Sequence, residues 1–127
     1  MPYRKIPLVT GEIYHIFNRS IAGVSIFPTI SDHSRFIELI NYYRFKDTPV
    51  SFSQFKRIEN NTRQQILKDL LKKKDQLIEI LSYCLMDNHY HFLLKHTADG
   101  GIARFISNLQ NGYAKYFNLK TLRSGPE

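Results

Sequence analysis

The chain has 127 residues, of which 43% are hydrophobic and 23% charged, as in a soluble globular protein with one core. It has no apolar run of the roughly 18 residues that a membrane span needs, no signal-peptide core, and a single cysteine, Cys84. A membrane helix, a secretory signal and a disulfide framework are therefore excluded, and Cys84 is expected to be a small buried residue in a reducing compartment. The net charge of +7 favours an anionic partner such as nucleic acid over a merely basic surface.

Residues 12–19 predict the first strand. Its alternation places one set of side chains on one face, namely Ile13, His15 and Phe17. The other face receives Tyr14, Ile16 and Asn18. Both sets are largely apolar, which predicts a strand that is covered on both sides. Arg19 ends the strand, either as a phosphate contact or as a solvated strand end.

A helix is predicted to begin at Ser31, a good N-cap, with Asp32 in its first turn where a negative charge favours the helix dipole. Apolar residues follow at helical spacing: Phe36, Leu39, Ile40 and Tyr43. Residues 47–49 end this helix, and residues 53–60 and 62–75 predict two more. The last of these ends in a lysine cluster, for which a solvated helix end is favoured over a phosphate-binding patch. Its members are Lys68, Lys72, Lys73 and Lys74.

Two strands joined by a tight turn are predicted over residues 77–96. Asp87-Asn88 supplies the turn, because both residue types tolerate left-handed backbone. His89 and His91 share one face of the second strand, since side chains alternate along a strand. Such a pair can hold a divalent metal or form an ordinary wet polar face. His96, at the strand end, and His33 are expected on the surface.

Residues 102–118 predict the last helix. Tyr113 and Tyr116 lie on its apolar stripe and are expected to pack in the core, and Gly112 is expected to allow close packing. The order strand, helix, inserted helix, strand, strand, helix predicts an α+β fold with a ferredoxin-like antiparallel sheet and helices on one face. The fourth strand of that fold is not visible, so the first strand is expected to have an unpaired edge that can recruit another chain, as in a homodimer.

Four segments in order resemble single-tyrosine transposases of the HUH class, in particular their IS200-like, REP-associated branch. LMDNHYHFLLK resembles the signature LMPNHxHLLV, with Asp87 in place of proline. The other three are EIYHIFNRS (12–20), IFPTISDHSRFIELI (26–40) and FISNLQNGYAKYFNLKTLRSGPE (105–127). The resemblance implies one DNA-processing domain over residues 1–127, with residues 47–75 as a helical insertion.

Members of this family cut and rejoin single-stranded or hairpin DNA through a 5′-phosphotyrosine. The resemblance makes His89 and His91 ligands of Mg²⁺ or Mn²⁺, and it implies a prokaryotic, cytoplasmic protein with DNA rather than a membrane as its partner. Residues predicted to contact DNA are Arg19, Arg104, Lys115 and Lys120. The family's catalytic tyrosine lies on a later helix within a pattern like YIxxNP, so the chain is expected to be truncated at its C-terminus.

No catalytic tyrosine is assigned, and Tyr113 and Tyr116 are only weak substitutes for it. Two functions therefore stay open: a transposase-type DNA-processing domain, and a non-catalytic nucleic-acid-binding module derived from one. An RNA-binding ferredoxin-like domain is disfavoured, because the aromatic RNP strings of that fold are missing.

Overall fold

The structure is a computed structural model that describes residues 8–73 and 75–123. In chain order its elements are β1 (Ile13–Arg19), a 3₁₀ turn (Ile21–Gly23), α1 (Ile30–Tyr43), α2 (Phe52–Arg57), α3 (Asn60–Lys73), β2 (Ile78–Leu85), β3 (His89–His96) and α4 (Gly101–Arg123). None of the described helices has the length and apolar character that crossing a membrane requires. The predicted helices 53–60 and 62–75 correspond to α2 and α3.

The three strands form one antiparallel sheet in the order β1-β3-β2. β1 pairs with β3 in an uninterrupted register from Ile13 opposite Lys95 to Arg19 opposite His89. β2 pairs with the other side of β3, with an irregularity between Ile80 and Ser82. The predicted α+β class is confirmed. Within the described residues β1 and β2 are the two edges of the sheet, and the ferredoxin-like assignment stays a prediction.

One face of the sheet carries the core. Tyr90, Phe92 and Leu94 of β3 are buried on this face. They pack against α1 and α4, with 5.2 Å between the rings of Phe36 and Tyr90 and 5.7 Å between those of Phe92 and Phe105. Burial of such large apolar side chains contributes about 1.5–3 kcal/mol each before the loss of entropy. The sheet is therefore held to its helices through this face.

The opposite face is exposed, so the prediction that β1 is covered on both sides is wrong. Ile13 is 53% exposed, Phe17 44% and Leu93 39%. The physical reason is that α1 and α4 both pack on the Tyr90 side, while apolar alternation alone cannot show on which side a helix docks.

The two main helices approach closely at Gly112 of α4, as predicted. A Cβ atom added to Gly112 would lie 3.1 Å from Leu39 Cδ2 and 3.3 Å from Tyr43 Cε2, both on α1. The bare backbone at this position therefore lets α1 and α4 pack side by side, which offsets the cost of glycine within a helix.

The helix ends differ in detail from those predicted. Thr29 rather than Ser31 caps α1: its hydroxyl accepts from the Asp32 amide, and the Asp32 carboxylate accepts from the Thr29 amide. α4 continues to Arg123, beyond the predicted end at residue 118. The chain was predicted to break over residues 122–126; Leu122 and Arg123 are helical instead, and residues 124–126 lie outside the described residues. Favourable packing of the apolar stripe on α1 extends a helix beyond what local signals indicate.

Three further predictions around the hairpin are wrong. His96 is only 2% exposed, because it lies on the core face of β3, and its ring nitrogens have no hydrogen-bond partner in the described part of the chain. Cys84 is exposed, because it lies opposite His91 on the open face. The predicted turn at Asp87-Asn88 does join β2 to β3, with the Met86 amide donating to the His89 carbonyl. Neither turn residue adopts the expected left-handed backbone, however, since Ala22 is the one described non-glycine residue with positive φ.

Candidate functional site

The exposed face of the sheet brings together polar and aromatic side chains from β1 and β3. The register places Arg19 opposite His89 and Phe17 opposite His91. His15 lies one pair further along, opposite Leu93 and diagonal to His91. We call the surface formed by His15, Phe17, Arg19, His89 and His91 the histidine face.

His89 and His91 lie side by side on this face, as the spacing predicted. Their ring centroids are 5.1 Å apart and the ring planes are nearly perpendicular, at 86°. Both side chains are half-buried. The Phe17 ring stacks on His91 at 4.8 Å, which restricts the orientation of that imidazole.

Each of the two imidazoles has its Nδ1 atom in a hydrogen bond. His89 Nδ1 lies 2.8 Å from Asn88 Oδ1, and because this oxygen only accepts, His89 carries its proton on Nδ1. His91 Nδ1 lies 2.8 Å from His15 Nε2. These contacts leave the Nε2 atoms of His89 and His91 as the atoms through which a metal could be bound, an arrangement common around metal-binding histidines.

The residues present fit a divalent metal only as a partial ligand set. Within residues 8–73 and 75–123, no group of three or more His, Cys, Asp or Glu side chains could hold a metal ion. His89 and His91 would therefore need oxygen ligands from elsewhere, and Mg²⁺ and Mn²⁺ are the ions that accept water and phosphate oxygens most readily.

The electrostatics of the face favour the neutral form of the His91 imidazole. Partial burial, together with electrostatic repulsion from the neighbouring side chains His15, His89 and Arg19, lowers the pKa of His91. His91 is therefore mostly neutral at neutral pH, which is the state in which imidazole binds a metal.

The turn before the histidines is fixed by the segment that follows β1. The Ser20 amide donates to the Asn88 carbonyl at 2.9 Å, and the Ile26 amide donates to the Asp87 carbonyl at 2.7 Å. The Ser25 hydroxyl adds a bond of 2.6 Å to the Asp87 carboxylate. Asn88 is thus held in place as the partner of His89.

The four basic residues predicted to contact DNA are divided between the two sides of the sheet. Arg19 is exposed on the histidine face, with its guanidinium 5.3 Å from the Phe17 ring centroid. Arg104, Lys115 and Lys120 belong to α4, on the other side. Arg104 is exposed, Lys115 donates to the Ser53 hydroxyl, and Lys120 forms an ion pair of 2.7 Å with Asp32.

Lys115 also borders a cavity of about 520 Å³ between α1, α2 and α4. Three other cationic side chains line this cavity, namely Arg35, Lys56 and Arg57. Glu38 forms ion pairs with Arg35 and Lys56. Of the lysines at the end of α3, Lys68, Lys72 and Lys73 are exposed and Lys74 lies outside the described residues.

Tyr113 and Tyr116 lie on α4, across the sheet from the histidine face. Tyr113 is buried and its hydroxyl donates to the Ile26 carbonyl at 2.6 Å. Burial, with the charge of Asp32 and the neighbouring Tyr116, raises the pKa of Tyr113 well above its ordinary value, which disfavours the phenolate form. Tyr116 donates to Asp32 at 2.8 Å.

The remaining tyrosines of the sheet also lie away from the histidine face. Tyr14 and Tyr90 share the core side, and Tyr83 packs on Phe92 with 5.8 Å between their rings. Among the described residues, therefore, no tyrosine of the sheet points to the side of His89 and His91.

Sequence reasoning missed the roles of His15 and Asn88 in this site. Alternation did place His15 on one face with Phe17, but only the pairing of β1 with β3 shows that this face is the one carrying His91. Asn88 was interpreted as a turn residue alone. Its position directly before His89 was the available signal.

Comparison with known proteins adds one finding. The family model described as "Transposase IS200 like" matches residues 50–124, a segment of more than half the chain that includes β2, β3 and α4. No curated protein and no solved structure matches the chain.

Proposed function

This chain belongs to the family of IS200-like transposases, and we propose that it binds single-stranded or hairpin DNA on its histidine face, beside a divalent metal held by His89 and His91. The observation that carries this proposal is the exposure of one sheet face on which both histidines, Phe17 and Arg19 converge. A transposition-type protein acts on DNA, and the net charge of +7 suits that partner.

In this proposal each residue of the face has a separate task. The Nε2 atoms of His89 and His91 would hold Mg²⁺ or Mn²⁺, which when bound neutralises charge on a scissile phosphate. The exposed Phe17 ring offers a stacking surface for an unpaired base. The Arg19 guanidinium beside it can contact the phosphate that follows that base.

We expect Phe17→Ala to weaken the binding of single-stranded DNA about tenfold, because stacking on an aromatic ring contributes about 1–3 kcal/mol per base. Fluorescence anisotropy with a labelled hairpin that carries a single-stranded flank would measure it. Affinity should fall as salt rises, since phosphate contacts release counterions. Phe17→Tyr should keep most of the affinity.

Ile13→Ala is the matched control, because Ile13 is also an exposed apolar residue of the same strand but lies at its far end, opposite Lys95. If Phe17→Ala and Ile13→Ala bind alike, or if plain duplex binds as well as the flanked hairpin at every salt concentration, DNA does not use this face as proposed.

The catalytic step of the proposed function needs a tyrosine hydroxyl aligned with the phosphate, within about 3.5 Å. Tyr113 and Tyr116 do not meet this requirement, because α4 packs on the core side of the sheet. We therefore expect neither to form a covalent DNA adduct. After incubation with Mn²⁺ and labelled hairpin DNA, a denaturing gel should show no band that Tyr113→Phe or Tyr116→Phe removes; such a band would identify the nucleophile.

The alternative is a non-catalytic DNA-binding module with the same sheet. This alternative predicts that neither Mn²⁺ nor the loss of His89 or His91 changes DNA binding or folding. For either function, we propose that a homodimer forms through the histidine face or through the edge of β1, which pairs with no further strand among the described residues.

A further inference from the structure

His15 is not a ligand in the proposed metal site, but it contacts one of the two proposed ligands, His91, directly. Its Nε2 atom lies 2.8 Å from His91 Nδ1, and the two rings lie edge to edge, with centroids 5.0 Å apart and planes only 5° from parallel. The two residues are 76 positions apart in the chain and are brought together by the pairing of β1 with β3.

Only one assignment of protons in this contact leaves His91 able to bind a metal through Nε2. If His15 donates from Nε2, then neutral His91 carries its own proton on Nε2 and that atom has no free lone pair. If His91 donates from Nδ1, its Nε2 lone pair is free, as it is in His89, whose Nδ1 donates to Asn88. The second assignment gives both histidines the same tautomer.

We propose that His15 is a positioning residue, which accepts a hydrogen bond from His91 Nδ1 and so holds the Nε2 atom of His91 ready to bind the metal. This inference rests on the proposed function of His89 and His91. Partners of this kind fix both the tautomer and the orientation of a metal-binding imidazole, and their loss weakens metal binding about 10–100-fold.

Two replacements of His15 separate its hydrogen bond from its packing. His15→Phe keeps a planar aromatic ring beside His91 but removes the accepting nitrogen. His15→Gln keeps an acceptor at about the same reach from the backbone and serves as the rescue variant. His33→Phe is the control for loss of an unrelated histidine, because His33 packs against Phe27 near the start of α1.

The first measurement is the long-range ¹H–¹⁵N spectrum of the imidazoles in the metal-free full chain at neutral pH. We expect His91 of the wild type in the Nδ1–H form, both tautomers in His15→Phe, and the Nδ1–H form again in His15→Gln. The second is titration with Zn²⁺ alone, which imidazole binds more tightly than it binds Mn²⁺. Affinity should fall about tenfold in His15→Phe and be largely restored in His15→Gln.

An Nε2–H tautomer of His91 in the wild type would overturn the inference. An unchanged spectrum and an unchanged Zn²⁺ affinity in His15→Phe would also overturn the role of His15, but they would leave the proposed metal site of His89 and His91 standing. If instead the wild type shows the fixed tautomer but Zn²⁺ binding does not depend on His89 or His91, the proposed metal site itself fails, and the role of His15 fails with it.

Discussion

Replacing His89 and His91 together by alanine should abolish Mn²⁺ binding while leaving the protein folded and able to bind DNA without metal. Each single replacement should weaken Mn²⁺ binding at least about 100-fold, because a direct ligand contributes more than the hydrogen-bond partner of a ligand. The fold should survive, since both side chains lie on the exposed face and the core packs on the other side of the sheet.

Mn²⁺-induced line broadening in NMR spectra would measure this effect residue by residue. Broadening in the wild type should centre on the histidine face and disappear in the double variant. His33→Ala is the control, because His33 lies on α1 near Phe27 and should leave the broadening unchanged. Broadening spread evenly over all the histidines, or retained in the double variant, would contradict the metal site.

Asp32→Ala should lower the free energy of unfolding by about 3 kcal/mol, the largest stability effect that we expect from a single polar side chain in this protein. Asp32 is fully buried (0% exposed) at the start of α1. Its carboxylate accepts hydrogen bonds from the Thr29 amide, the Tyr116 hydroxyl and the Lys120 ammonium. Removing it therefore deletes the carboxylate half of the capping box and takes one charged acceptor from Tyr116 and Lys120 of α4.

Urea unfolding followed by circular dichroism would measure the loss. Glu38→Ala is the matched control, because Glu38 lies on the same helix and also forms ion pairs, with Arg35 and Lys56, but is exposed. Exposed pairs of this kind contribute about 0–1 kcal/mol. Similar losses for Asp32→Ala and Glu38→Ala would show that the buried network does not stabilise the fold as inferred.

The same network makes the contribution of Asp32 depend on pH. Burial acts to raise the pKa of Asp32, but hydrogen bonds from Lys120, Tyr116 and Thr29 outweigh it and hold the pKa below its ordinary value of 3.8. A carboxylate whose pKa is lower in the folded state stabilises fully above its unfolded pKa and loses that contribution as pH falls through its folded pKa. The stability difference between wild type and Asp32→Asn should therefore shrink in acid.

Local sequence patterns predicted much of this protein. The alternation of His89 and His91 placed them on one face. The apolar spacing over residues 36–43 located α1, although its cap was predicted two residues late and its end at residues 47–49 rather than at Tyr43. The resemblance of LMDNHYHFLLK indicated the transposase family, which the match over residues 50–124 bears out. Strand alternation and helical spacing involve residues only a few positions apart, and the backbone geometry of one strand or helix fixes the relative directions of their side chains.

Only the tertiary structure decided which face is open and which side chains meet there. Both faces of β1 look apolar in sequence, yet α1 and α4 cover just the Tyr14 side and leave Phe17 exposed. His15 and His91, which are in contact, lie 76 positions apart in the chain. Lys120, a residue predicted to contact DNA, pairs with Asp32, which lies 88 positions away. Strand register and helix docking are set by the packing of the whole core, and the periodicity of a single segment does not determine that packing.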